Sequence, residues 1–152
     1  MLKIGDQVTD FSSTDQNGKT LKLSDFQGKK LIIFFYPKAS TPGCTTQACN
    51  LRDGYQLLKE KGYEIMGISA DSVSKQTNFT TKNNLPFVLL ADENKEIIKL
   101  FGVWGEKKFM GKIFDGIHRT TFILDENHVI THVIHKVKTK EHTRQILEII
   151  DN

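Results

Sequence analysis

The chain has 152 residues and is 38% hydrophobic, and its 21 Lys plus Arg against 18 Asp plus Glu give a net charge of +3. This is an ordinary globular composition, long enough to bury a core and too apolar and weakly charged for disorder. Three prolines and 11 scattered glycines exclude a collagen-like or low-complexity chain, and the longest apolar run falls far short of the roughly 20 residues of a bilayer span.

In chain order, residues 5–23 are short pieces punctuated by turns, with Asp15-Gln16-Asn17-Gly18 the clearest and Gly18 able to take a positive φ. The run Leu31-Ile32-Ile33-Phe34-Phe35-Tyr36, bounded by Lys30 and Pro37, predicts a strand buried on both faces. After Thr41-Pro42-Gly43-Cys44, a pattern through Gln47, Ala48, Leu51, Tyr55, Leu57 and Leu58 predicts a helix ending near Gly62. Tyr63 to Ala70 is β-rich, and Asp71-Ser72 can cap a helix running to about Asn83. Phe87 to Leu90 predicts a short strand, and Glu96 to Phe101 a short helix stopped by Gly102. Thr120 to Leu124 and Val129 to Val137 predict two strands joined at Asp125-Glu126-Asn127. Thr139 to Ile150 closes the chain as an amphipathic helix with Ile146, Leu147, Ile149 and Ile150 inward.

This order implies an α/β protein with a central mixed sheet flanked by helices. It is the order of a thioredoxin-like fold with an N-terminal extension and an inserted segment. No linker or repeat divides the chain, so Met1 to Asn152 is expected to form one domain. The start, Met1-Leu2-Lys3-Ile4-Gly5-Asp6, has no apolar signal region and no small-residue cleavage site, so a cytoplasmic protein with no membrane partner is expected. Lysines at 29–30, 59–61, 107–108 and 136–140 lack interleaved stacking aromatics, so they predict solvated faces and no nucleic-acid partner. Of the five histidines, His128, His132 and His135 belong to the terminal hairpin and are expected at the surface. Phe79, Phe87, Trp104 and Phe109 could line an apolar pocket, though the core is the commoner place for such residues.

The two cysteines, Cys44 and Cys49, are too few for a secreted disulfide scaffold. Cys44 falls in the first turn of the predicted helix, where free N–H groups and the helix dipole stabilise negative charge. The thiolate is the nucleophilic form of cysteine, so the position favours reactivity. Cys49 lies on the same helix. Five helical residues advance about 7.5 Å and turn about 140°, which separates the two Cα atoms by roughly 8.6 Å. A disulfide needs about 7 Å or less. The pair therefore cannot bond while the helix is intact, and a redox cycle with local unwinding is favoured over a static bridge. Two thiolates without a second Cys/His pair at ligand spacing do not make a tetrahedral zinc site, and no metal, haem or flavin cofactor is implied.

Pro37-Lys38-Ala39-Ser40-Thr41-Pro42-Gly43-Cys44 matches the P-x-x-x-T-x-x-C motif of peroxiredoxins. Thr45-Thr46-Gln47-Ala48-Cys49 and Arg52-Asp53 resemble the subfamily called bacterioferritin comigratory protein, or peroxiredoxin Q. So do residues 101–107, Phe-Gly-Val-Trp-Gly-Glu-Lys, and Gly116-Ile117-His118-Arg119. The resemblance covers nearly the whole chain. It implies a peroxidatic Cys44, a Thr41 hydroxyl that holds the peroxide oxygens, and a Pro37 that shields the pocket from water. Arg119 would stabilise the thiolate and the polarised O–O bond, and Cys49 would be the resolving cysteine. Many members carry Glu three residues after the peroxidatic cysteine, where this chain has Gln47, which keeps hydrogen bonding and loses the charge.

The implied activity is reduction of hydrogen peroxide and organic hydroperoxides. Thioredoxin, or a glutaredoxin-like dithiol, would be the reductant, and the protein would be a monomer. Attack on a peroxide needs a thiolate, donors aimed at the oxygens and a dry pocket, which these residue types supply. Two other classes use related parts. A protein thiol–disulfide oxidoreductase usually carries C-x-x-C, whereas four residues separate Cys44 from Cys49. A thioredoxin-fold redox sensor would oxidise without efficient turnover.

Overall fold

Leu31 to Tyr36 is fully buried, and its side chains alternate between two cores. Leu31, Ile33 and Phe35 join Ile98, Phe101 and Phe122 on one side of a sheet. Ile32, Phe34 and Tyr36 join Cys44, Leu51 and Phe79 on the other. A strand buried on both faces needs apolar residues at every position, which is why the run is continuous.

The structure is a computed structural model and describes residues 1–151. Its elements are β1 (Ser12–Asp15), β2 (Thr20–Lys22), a 3-10 turn (Leu23–Phe26), β3 (Lys30–Phe35), α1 (Pro42–Glu60), β4 (Tyr63–Ser69) and α2 (Val73–Asn83). Then come β5 (Val88–Ala91), α3 (Glu96–Phe101), β6 (Trp104–Phe109), β7 (Lys112–Ile117), β8 (Thr120–Leu124), β9 (Ile130–Ile134) and α4 (His142–Ile150). Seven strands form one sheet in the order β2-β1-β5-β4-β3-β8-β9, and β6 pairs with β7 in a separate two-stranded ribbon. The pairs β3·β4 and β4·β5 are parallel, while β3·β8, β8·β9, β1·β5 and β1·β2 are antiparallel. The sheet is mixed and the fold thioredoxin-like, with the β1–β2 hairpin extending one edge.

α1, α2 and α4 supply side chains to the core that holds Cys44, and α3 to the opposite core. α1 and α4 approach closely because Gly54 has no side chain; a Cβ there would collide with Thr143. α1 stops at Glu60, and Gly62 takes φ 93° to lead into β4. α2 starts where expected, with the Ser72 hydroxyl accepting from Lys75 N at 3.2 Å.

The structure departs from the sequence expectations at several places. The β6–β7 ribbon lies outside the predicted elements, because charges and glycines break the alternation that marks a half-buried strand. α4 starts at His142 rather than Thr139, and β9 ends at Ile134 rather than Val137. His128 is buried, not at the surface: the N-terminal segment crosses the β8–β9 turn, Val8 N donates to His128 O at 3.1 Å, and the His128 Nε2 sits 3.0 Å from the Phe26 carbonyl. Phe109 is exposed, so it serves neither core nor pocket, whereas Phe79 and Phe87 are core residues.

Candidate active site

The chain leaves β3 at Tyr36 and turns out of the sheet through half-buried Pro37. Ser40 takes φ 64°, and the Asp71 carboxylate pins the loop, accepting from Ala39 N at 2.7 Å and the Ser69 hydroxyl at 2.6 Å. Thr41 is the extended residue before α1, and Pro42 opens the helix, where its fixed φ suits the turn and no N–H is wasted. The Thr41 hydroxyl donates to Lys38 O at 2.7 Å and does not cap the helix. The first intrahelical hydrogen bond runs from Thr45 N to Thr41 O at 2.9 Å. The amides of Gly43 and Cys44 precede it, on the electropositive end of the helix.

Cys44 is buried and is a free thiol. Arg119 reaches it from the corner between β7 and β8. His118 N donates to Val103 O at 2.7 Å and the Thr120 hydroxyl to His118 O at 2.9 Å, which fixes the backbone on either side of the arginine. The guanidinium Nη2 lies 3.4 Å from Cys44 Sγ, and Nη1 donates to Gln47 Oε1 at 2.6 Å. A Cβ on Gly43 would fall 3.3 Å from Nη2, so the glycine leaves room for the guanidinium against the first turn. Gln47 is fully buried, and its Nε2 has no partner. The structure thus brings Cys44, Arg119 and Gln47 into contact, with Thr41 and Pro37 on the loop beside them.

Cys49 is half-buried on another side of α1, its thiol 3.6 Å from Asn83 Oδ1 of α2. Arg52 donates to Asn83 O at 2.8 Å and lies within electrostatic range of Cys49. Both cysteines do lie on one helix, as the spacing predicts, and both are free.

Three further residues bear on the site. Lys107, expected on a solvated face, is half-buried and donates to Ile117 O at 2.8 Å. Burial and the Arg119 charge lower its pKa, while Cys44 opposes that shift. His142 is fully buried, with Nε2 2.8 Å from the Thr121 hydroxyl and Nδ1 2.9 Å from Gln145 Oε1. Burial holds its pKa down to about 4, with the Arg119 charge pushing the same way. Tyr36 is fully buried under the Cys44 loop, its hydroxyl donating to Gln76 Oε1 at 2.5 Å, and burial holds the phenol neutral. A polar end on a strand residue is a readable signal for Tyr36, and Lys107 ends the segment 101–107 that carries the family resemblance; His142 gives no signal.

The chain matches the AhpC/TSA family over residues 4–133. It is 49% identical to Peroxiredoxin Bcp of Escherichia coli (strain K12) over 146 residues, 96% of this chain and 94% of that protein. Identity to Peroxiredoxin Bcp of Bacillus subtilis (strain 168) is 40% over 149 residues, 98% of this chain and 95% of that one. Among solved structures it resembles a cysteine-to-serine mutant of Xanthomonas campestris Peroxiredoxin Q, with a TM-score of 0.87 and 33% identity over 93% of this chain and 90% of the other. Mycobacterium tuberculosis BcpB superposes with a TM-score of 0.87 and 33% identity over 99% of this chain and 97% of the other.

Proposed function

The chain belongs to the AhpC/TSA family, in its Bcp and peroxiredoxin Q branch, and from this thiol-dependent peroxidase membership we propose a two-cysteine cycle that starts at Cys44. The Cys44 thiolate attacks one oxygen of a hydroperoxide. An S–O bond forms, the O–O bond breaks, and the departing oxygen takes a proton to leave as water or an alcohol. The contact that supports this most is the 3.4 Å approach of the Arg119 guanidinium to Sγ at the start of α1. A fixed cation and the helix end together stabilise both the thiolate and the charge developing on the leaving oxygen. Thr41 holds the peroxide through its hydroxyl, and Pro37 keeps water from the pocket. Gln47 orients Arg119 through a neutral acceptor, so the guanidinium keeps its full charge for the sulfur.

The resulting sulfenic acid then meets Cys49. The first turns of α1 unwind, the Cys49 thiolate attacks the Cys44 sulfur, the S–O bond breaks, and the departing oxygen takes a proton and leaves as water as the disulfide forms. An external dithiol, thioredoxin in this proposal, reduces the disulfide and lets the helix reform. The substrates are hydrogen peroxide and organic hydroperoxides, and the protein works as a monomeric single domain in the cytoplasm. Among the described residues no helix is long and apolar enough to cross a membrane.

The test is peroxide turnover with thioredoxin, thioredoxin reductase and NADPH. Wild type should consume NADPH, Cys44→Ser should be dead, and Cys49→Ser should react once and stall. Full activity in Cys44→Ser would remove it as the nucleophile, and sustained turnover in Cys49→Ser would remove Cys49 as the resolving thiol.

A further inference from the structure

Four of the seven large apolar side chains exposed among the described residues fall within residues 109–114, at the tip of the β6–β7 ribbon. Phe109 is 66% exposed, Met110 86%, Ile113 64% and Phe114 46%. An apolar patch of this kind on a soluble chain marks an interaction site more often than idle surface. The pairing Lys107↔Phe114, Lys108↔Ile113 and Phe109↔Lys112 spreads it around the ribbon. Phe109 and Phe114 share one face, Ile113 lies on the other, and Met110 caps the turn.

The turn gives a second, independent observation. Met110 has φ 51° and Gly111 has φ 80°, the two left-handed positions of a tight hairpin turn. Asn or Asp normally takes the first of these, because L side chains avoid that backbone region. Here a methionine occupies it and is left almost wholly in solvent. The chain accepts backbone strain to place an apolar side chain at its outermost point, and such strain points to function.

Charge changes sign along the ribbon. Exposed Lys112 lies level with Phe109 and exposed Lys108 level with Ile113, so lysines are interleaved with the apolar residues, and no acid occurs between Lys107 and Phe114. The acids Glu106 and Asp115 pair across the ribbon one step further back. From the turn inward, a mixed apolar and basic zone gives way to an acidic pair. That order suits an anionic bilayer, with apolar side chains at the acyl boundary, lysines among the phosphates and acids in water. A protein partner would favour an apolar stripe on one face. A second copy of this chain would bring two basic collars together.

We propose that the β6–β7 tip docks this protein on an anionic lipid surface. The tip enters only the headgroup layer, where water still serves the open strand edges. This is peripheral docking, which needs neither a spanning segment nor a signal region and so departs from the expectation of no membrane partner. β7 runs directly into Arg119, so the anchor holds the Cys44 site within about 25 Å of that surface.

The experiment is sedimentation of the full chain with vesicles of equal parts phosphatidylglycerol and phosphatidylcholine, and with phosphatidylcholine alone. Wild type should sediment with the anionic vesicles only and be released as salt rises. The double variants Phe109→Ser/Met110→Asn and Lys108→Glu/Lys112→Glu should each bind at least about tenfold more weakly. Asn suits the left-handed turn position, so the first variant retains the fold, and both should keep wild-type turnover of hydrogen peroxide. Failure of wild type to bind anionic vesicles at low salt overturns the proposal, and so does equal binding by wild type and both variants. Concentration-dependent dimers that disappear in Phe109→Ser/Met110→Asn, without vesicle binding, would assign the tip to a second copy and overturn it as well. The assay contains no peroxide, so its failure leaves the peroxidase reading intact, and loss of that reading leaves the docking intact.

Discussion

Arg119 divides its guanidinium between two acceptors, Cys44 Sγ at 3.4 Å and Gln47 Oε1 at 2.6 Å. The planar fork serves them from two separate nitrogens, whereas a lysine ammonium would have to reach both from one atom. Arg119→Lys keeps the charge and should still lower the rate of peroxide reduction by about 10²-fold. Stopped-flow fluorescence of Trp104, the single tryptophan, follows that rate; a change under threefold would mean that the fork is not needed. Much of this constellation was legible beforehand. The motif placed Pro37, Thr41 and Cys44 on one loop and helix start, and Gln47 stood out as a departure from it. The burial of Lys107 was not legible, because the charged run Glu106-Lys107-Lys108 predicts solvent on both faces. Its burial comes from the return of β7 to Ile117, a tertiary contact that no local pattern encodes.

Unwinding of α1 is bounded by what holds the helix further along. Asn50, the residue after Cys49, ties α1 to the start of α4. Its Oδ1 accepts from Thr143 N at 2.8 Å, its Nδ2 donates to Lys140 O at 2.9 Å, and its own carbonyl accepts from the Thr143 hydroxyl at 2.9 Å. At about 1 kcal/mol for each side-chain hydrogen bond, losing two should ease local opening by roughly tenfold or more. Asn50→Ala should therefore speed disulfide formation after a single peroxide addition, with the initial oxidation of Cys44 unchanged. Quenched-flow trapping of free thiols separates the steps, and an unchanged second step would mean that unwinding stops short of Asn50. The helices and the β3 run were readable as elements because packing demands apolar residues at fixed spacing. The β6–β7 ribbon was not, since it packs few side chains and its sequence answers to something outside the fold.

The whole molecule rests on two cores separated by the sheet, one built on the rings of Phe35, Phe101 and Phe122, whose centroids lie 4.9 to 5.8 Å apart. Acid should weaken it through His142. Burial holds the native pKa near 4, against 6.5 for the free side chain. Between those values the unfolded chain binds the proton and the native chain does not, so stability falls as pH drops from 6.5 to 4. The loss from this group approaches roughly 3 kcal/mol below that window and vanishes above it. Melting temperature against pH should show this slope, and His142→Gln should flatten it; a slope unchanged by the substitution would assign it to carboxylates. The placing of Cys44 and Cys49 on one intact helix also bears on how the molecule is recognised by its reductant. Two thiols held at bonding distance record their oxidation in a single bond, nearly invisible from outside. Two thiols kept apart by a helix record it in the backbone, and under the proposed cycle the oxidised chain has a different outline. A reductant that fits only the unwound outline has no affinity for the repaired enzyme. Finished product then does not compete for it, and the recycling partner is drawn only to molecules that have already met a peroxide.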